Sequence, residues 1–214
     1  MQMKRTLWAV LVVALAGCED IQGNGDIVEQ ERPTGTFSGV FLAAGLHGDI
    51  TVGVTPSVKI RGDSNLLDFI RLELRDGILT SDLDQGLSLL PSEPIVVTVV
   101  TPTLTELQAL NGTRMSASGI DTESLTLRVA GRSTVNVSGT ARKLTLVAVR
   151  NGEVQAGDLA VEVAEIAVSD SSRARLHVTQ QISGTASSGS DVTVLGNPPQ
   201  SDIATSGGGQ VLFE

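Results

Sequence analysis

From Leu107 onward, apolar residues recur in four columns that advance along the chain by the same series of steps, 20, 19, 20, 18 and 19 residues. The first column is Leu107, Leu127, Leu146, Ile166, Gly184 and Ile203, and the second lies two residues later at Ala109, Val129, Ala148, Val168, Ala186 and Thr205. The third is Met115, Val135, Val154, Ala174, Val192 and Val211, and the fourth is Ala117, Val137, Ala156, Leu176, Val194 and Phe213. Only Gly184 and Thr205 break the apolar rule, which leaves 22 of 24 positions apolar, where the 41% hydrophobic composition alone gives about ten. Residues between paired columns, such as Ser116, Asn136, Gln155, Arg175 and Thr193, are mostly polar, so each pair of columns reads as a strand with one buried and one solvated face.

Six residues always separate the second column from the third, and those gaps are filled by corner formers: Asn111-Gly112-Thr113, Gly131-Arg132-Ser133, Asn151-Gly152, Asp170-Ser171-Ser172, Ser188-Gly189-Ser190 and Gly207-Gly208-Gly209. The interval from the fourth column to the next first column varies between 8 and 10 residues. A coil with two fixed strands, one fixed corner and one variable side that absorbs insertions follows. Stacked coils of this kind pair in parallel about 4.8 Å apart and bury their apolar positions only against the coils above and below. The expected fold class is therefore all-β, a single parallel β-helix, with right-handed winding as the default for parallel crossovers.

Upstream, segments 39–45, 49–54, 58–62, 70–75, 78–82 and 95–101 read as further strands, and 65–69 as a helical turn. They do not fit the period, which makes them irregular earlier coils and an N-terminal cap. Residues 18–33 read as a polar tether, and 34–214 as the β-helix domain.

The first seventeen residues have another character. Lys4 and Arg5 precede an uncharged apolar run from Leu7 to Ala16, too short to span a bilayer and laid out as a secretory signal. It leads into Leu15-Ala16-Gly17-Cys18, which resembles the lipobox of bacterial lipoproteins: cleavage is expected between Gly17 and Cys18, and the thiol accepts a diacylglycerol. Cys18 is the single cysteine, so no disulfide forms within the chain. Of 15 Lys and Arg, removal of Lys4 and Arg5 leaves 13 against 24 acidic residues, a mature net charge near −11 that disfavours nucleic acid as a partner. The only Trp is Trp8 and there is no Tyr, so the core must be filled by aliphatic side chains and four Phe.

Catalytic chemistry finds little support. Glu153, Arg173 and Asp191 stack on neighbouring coils, with Arg175 beside them, a stripe that steadies the register by alternating charge and is the candidate surface for binding. An enzyme acting on acidic polysaccharide is the competing reading, and the lack of Tyr and Trp in the mature chain to stack on sugar rings weakens it. His47 and His177 are isolated, so neither a metal site nor a cofactor is expected. Arg61-Gly62-Asp63 spells a receptor-binding tripeptide, but follows a strand where turn residues belong.

The order Gly23-Asn24-Gly25, Glu29 to Phe37, Asp49-Ile50-Thr51-Val52, Ile95 to Pro102, Leu104 to Gly112, then repeated glycine-serine corners up to Asp191–Pro198, resembles the putative auto-transporter adhesin, head GIN domain family. The resemblance covers roughly residues 23 to 214, and implies a right-handed parallel β-helix in an exported, often lipid-anchored, bacterial envelope protein. Together these readings predict a non-catalytic envelope module held to the outer membrane or cell surface by lipid. Its expected partners are the membrane, an envelope polymer or protein, or another copy meeting it through the solenoid ends.

Overall fold

The computed structural model describes residues 19–32, 35–83 and 87–214, so the signal and Cys18 lie outside the described residues. The fold is all-β, a solenoid of stacked coils. Its regular part contains β10 (Glu106–Leu110), β11 (Arg114–Ala130), β12 (Thr134–Val149), β13 (Glu153–Val168), β14 (Arg173–Ser187), β15 (Asp191–Leu195), β16 (Gln200–Ser206) and β17 (Gln210–Phe213). Each pairs in parallel with the strand one coil away, and the register links Leu107 to Leu127, Leu127 to Leu146, Leu146 to Ile166 and Ile166 to Gly184, as the columns require. Through the first five coils every column position is buried except half-exposed Gly184. In the sixth coil Ile203 and Val211 are half-buried and Phe213 is exposed, because no described strand stacks upon β16 or β17.

Two features differ from the sequence reading. The variable side is strand, not loop: β11 to β14 run 15 to 17 residues through it, with Leu125, Leu144, Ala164 and Ile182 facing inward. Insertions are absorbed there as register shifts, between Ala117 and Ile120, Asn136 and Ser138, Ala156 and Ala160, and Val161 and Val163. Backbones come so close at these shifts that a Cβ on Gly139 would collide with the Ile120 carbonyl, and one on Gly184 with that of Ile166; both glycines have φ near 130°, which other residues rarely adopt (φ 129 and 132). Gly184 is thus the column exception for a backbone reason.

At the fixed corner, two consecutive residues take positive φ in every coil: 111 and 112, 131 and 132, 150 and 151, 170 and 171, 188 and 189, 207 and 208. Inside this corner runs a fifth column, Thr113, Ser133, Gly152, Ser172, Ser190 and Gly209, whose four hydroxyl residues are fully buried. The Ser133 hydroxyl donates to the Ala130 carbonyl (2.8 Å), Ser190 donates to Val168 (3.0 Å), and Ser172 Oγ accepts from the Gly152 N–H (3.0 Å). Small hydroxyls here satisfy corner amides and carbonyls that the turn takes out of the ladder.

The N-terminal block contains β1 (Glu19–Gln22), β2 (Ile27–Arg32), β3 (Gly39–Leu42), β4 (His47–Val52), β5 (Ser57–Asp63), a 3-10 turn at Leu67–Phe69, β6 (Ile70–Arg75), β7 (Ile78–Leu83), β8 (Leu87–Leu90) and β9 (Val96–Thr101). Six of these strands and the turn sit where the sequence places them. Their stacking order does not follow the chain. The coil β3–β4 lies between the later strands β7 and β9 on one side and β10 and β11 on the other. Beyond it, β5 and β2 run antiparallel to β9 and to each other, and β6 runs antiparallel to β7, closing this end. Residues 19–33 correct the tether reading. They are built into the fold, β1 in parallel with β8 and β2 against β5, because alternate residues of β2 are half-buried while the intervening Glu29 and Glu31 face solvent.

Candidate ligand-binding face

The widest surface is the outer side of the sheet that runs β2, β5, β9, β4, β11, β12, β13, β14, β15, β17. Side chains that point outward from matched positions form rows along the rod. One row is His47, Arg114, Thr134, Glu153, Arg173, Asp191 and Gln210; the next is Thr98, Asp49, Ser116, Asn136, Gln155, Arg175 and Thr193. Of the stripe expected from sequence, Glu153, Arg173 and Asp191 share the first row, and Arg173 Nε stands 3.7 Å from Asp191 Oδ2. Arg175 belongs to the second row and pairs with Glu214 at 3.1 Å, while Glu153 accepts a hydrogen bond from Gln155 at 2.9 Å. These pairs are solvent-exposed and add little to stability.

The second row forms the floor of a shallow trough of about 500 Å³, bordered by Ser118, Ser138, Gly157, Asp158 and Leu195. Those border residues were not foreseen, because they lie where the register shifts and the alternation that identifies outward positions breaks. The floor presents hydroxyl, amide and guanidinium groups at the rung spacing of about 4.8 Å. Ser116 Oγ already donates to Asp49 Oδ1 at 2.9 Å, which fixes one end. A second hollow of about 450 Å³ on the neighbouring side carries Arg142 between Glu123 (3.1 Å) and Glu162 (3.8 Å).

Neither surface gathers the groups a reaction needs. Among the described residues no three His, Cys, Asp or Glu side chains converge as metal ligands. His47 Nε2 lies 3.3 Å from Arg114 Nη1, and half-buried His177 packs against the backbone of Gly196. Open, polar and elongated, the trough suits an extended partner better than an enclosed small molecule.

The most highly organised polar cluster is structural. Asp63 is fully buried, and its carboxylate accepts from the Gly25 N–H (2.7 Å), the Ser92 hydroxyl (2.7 Å) and the Ser92 N–H (2.9 Å). The Ser92 hydroxyl above all, with the two backbone N–H groups, holds this carboxyl below the usual aspartate range. Asn24 bonds Asn65 and Ser64, and Asn65 bonds the Gln22 carbonyl, so the Gly23-Asn24-Gly25 turn is clasped from both sides. With Asp63 buried and Arg61 on Glu93 at 3.1 Å, the Arg-Gly-Asp tripeptide is not presented to a receptor.

Residues 36–198 match the family described as putative auto-transporter adhesin, head GIN domain. Among solved structures, the chain is similar to a putative adhesin from Bacteroides fragilis, with a TM-score of 0.74 at 17% identity, covering 91% of this chain and 100% of that one. It is also similar to a putative lipid binding protein from Parabacteroides distasonis (TM-score 0.53, 16% identity, 92% and 100% covered). A putative adhesin from Parabacteroides merdae gives a TM-score of 0.52 at 16% identity, with 92% and 99% covered. Likeness at such identities establishes a common fold. No curated protein matches the chain significantly.

Proposed function

Because the chain belongs to the putative auto-transporter adhesin, head GIN domain family, we propose that it is a non-catalytic binding module displayed at the cell envelope on a lipid attached to Cys18. One observation carries this reading: the outer sheet offers uninterrupted rows of short polar side chains around a shallow trough, with no convergent reactive groups beside them. Rigid, regularly spaced hydroxyls and amides recognise an extended partner at low entropic cost, since the strands already hold them in place. Lipid attachment draws its support from Leu15-Ala16-Gly17-Cys18 after a short apolar run. The named likenesses to adhesins and to a lipid binding protein agree with a surface role.

The experiment is a binding screen of the purified mature chain on glycans and envelope proteins, repeated with Asn136→Trp. Asn136 is exposed on the trough floor, so the indole fills the trough without entering the core. Binding by the native chain that Asn136→Trp abolishes supports the reading. Turnover of an acidic glycan that survives Asn136→Trp overturns it.

A further inference from the structure

The chain enters the fold without slack. Glu19 is already in β1, paired with Leu87, and Cys18 is one peptide bond away, about 3.8 Å between Cα atoms. We propose that the closed N-terminal end of the solenoid, where β1, β8 and the β6–β7 hairpin lie, rests directly on the lipid bilayer, so that the rod projects from it with the C-terminal coils outermost. The inference rests on the reading of Cys18 as the lipidated residue, and adds where the body must then sit.

Four observations carry it. First, β1 is anchored to the body: Ile21 and Leu89 pack against the core, and the Gly23 N–H donates to the Leu90 carbonyl (2.9 Å). Second, the clasp on Gly23-Asn24-Gly25 by Asp63, Ser64 and Asn65 removes the slack that a free segment would supply. Third, this end exposes large apolar side chains, Leu90 at 50% and Leu74 at 39%, where the chain's other closing strand β2 shows Glu29 and Glu31. Fourth, Leu89 and Pro91 line a small cavity with Ile70, Leu83 and Ile95, which places β8 against β7 and the start of β6. A diacylglycerol sunk in the bilayer and joined by one residue to β1 cannot hold the body more than a few ångströms away, so Leu90 meets the interface. From β4 to β17 there are six rungs, so the last coil stands roughly 30 Å farther out.

The test uses the lipidated chain in phosphatidylcholine vesicles with brominated acyl chains, carrying a fluorophore on Leu90→Cys or, separately, on Leu212→Cys. Both positions are exposed, and the thioether on Cys18 leaves its sulfur unlabelled. Strong quenching at 90, none at 212, and loss of the difference when a flexible Gly-Ser insert separates Cys18 from Glu19 is the expected result. Equal quenching at both sites, with mass spectrometry showing the diacylglyceryl group on Cys18, overturns the orientation while leaving the anchor intact. An unmodified Cys18 overturns the anchor, and the orientation with it.

Discussion

In the stack from Glu106 onward a strand finds its partner 18 to 20 residues away, whereas coil β3–β4 meets β10 and β11 across 67 residues. Both regions bury the same kinds of side chain in the same narrow interior, yet they differ in how far the chain must search to form it. Local pairing closes short loops and lowers the entropic barrier to folding; pairing across 67 residues must wait until the intervening strands are placed. The regular stack is therefore expected to nucleate, and the N-terminal block to dock upon it.

The largest effect tests the geometry that keeps the stack in register. Gly184→Ala drives a Cβ into the Ile166 carbonyl at a φ of 132°, and is expected to cost about 4 kcal/mol or to prevent folding, read by denaturant titration. Next, Leu146→Ala in the stack and Ile60→Ala in the block should each cost about 3 kcal/mol at equilibrium. Their kinetics separate the regions: stopped-flow measurements should show the loss at Leu146 mainly as slower folding and the loss at Ile60 mainly as faster unfolding. Equal partition between the two sites would end the proposed order of events.

Ser172→Ala leaves the Gly152 N–H without its partner in a closed corner, and is expected to cost about 1–2 kcal/mol in thermal unfolding. Acid distinguishes the regions by another route. Asp63 has a folded pKa below its ordinary 3.8, so its contribution is complete above that value and is lost as the pH falls through the depressed one. Hydrogen exchange should show the Gly25 and Ser92 amides losing protection below about pH 4 before those of β12 and β13 do. The smallest effect has the opposite sign. Arg150 sits at a corner with φ 53°, and Arg150→Gly is expected to raise stability by about 0.5 kcal/mol, visible as a slightly higher Tm.

The same contrast explains what the sequence reveals. Leu127, Leu146 and Ile166 repeat because each is covered by its counterpart one coil away, so the stack is legible as columns. Leu125, Leu144, Ala164 and Ile182 follow the same steps two residues earlier, and mark the third side as strand. They are easy to overlook because the register shifts interrupt alternation just before them. The place of β3 and β4 in the stack leaves no period to read, since their partners are set by three-dimensional closure. Strand β2, an edge strand with Glu29 and Glu31 turned to water, looks like a linker for the same reason that it is safe as an edge. For the binding face, Arg175 and Gln155 follow from the alternation, but Ser118, Ser138, Gly157 and Asp158 do not, because each stands beside a shift.

The insertion of β3–β4 between later strands also decides how such a molecule can change length. A coil duplicated or deleted within the stack adds or removes one layer and leaves its neighbours able to pair again, since every layer there offers the same edges. Removing β3–β4 would instead open a gap of two rungs, about 10 Å, between β9 and β11, with β7 and β10 parted in the same way. Growth and shortening by whole repeats are thus open to the chain beyond Leu104 and closed to the part before it.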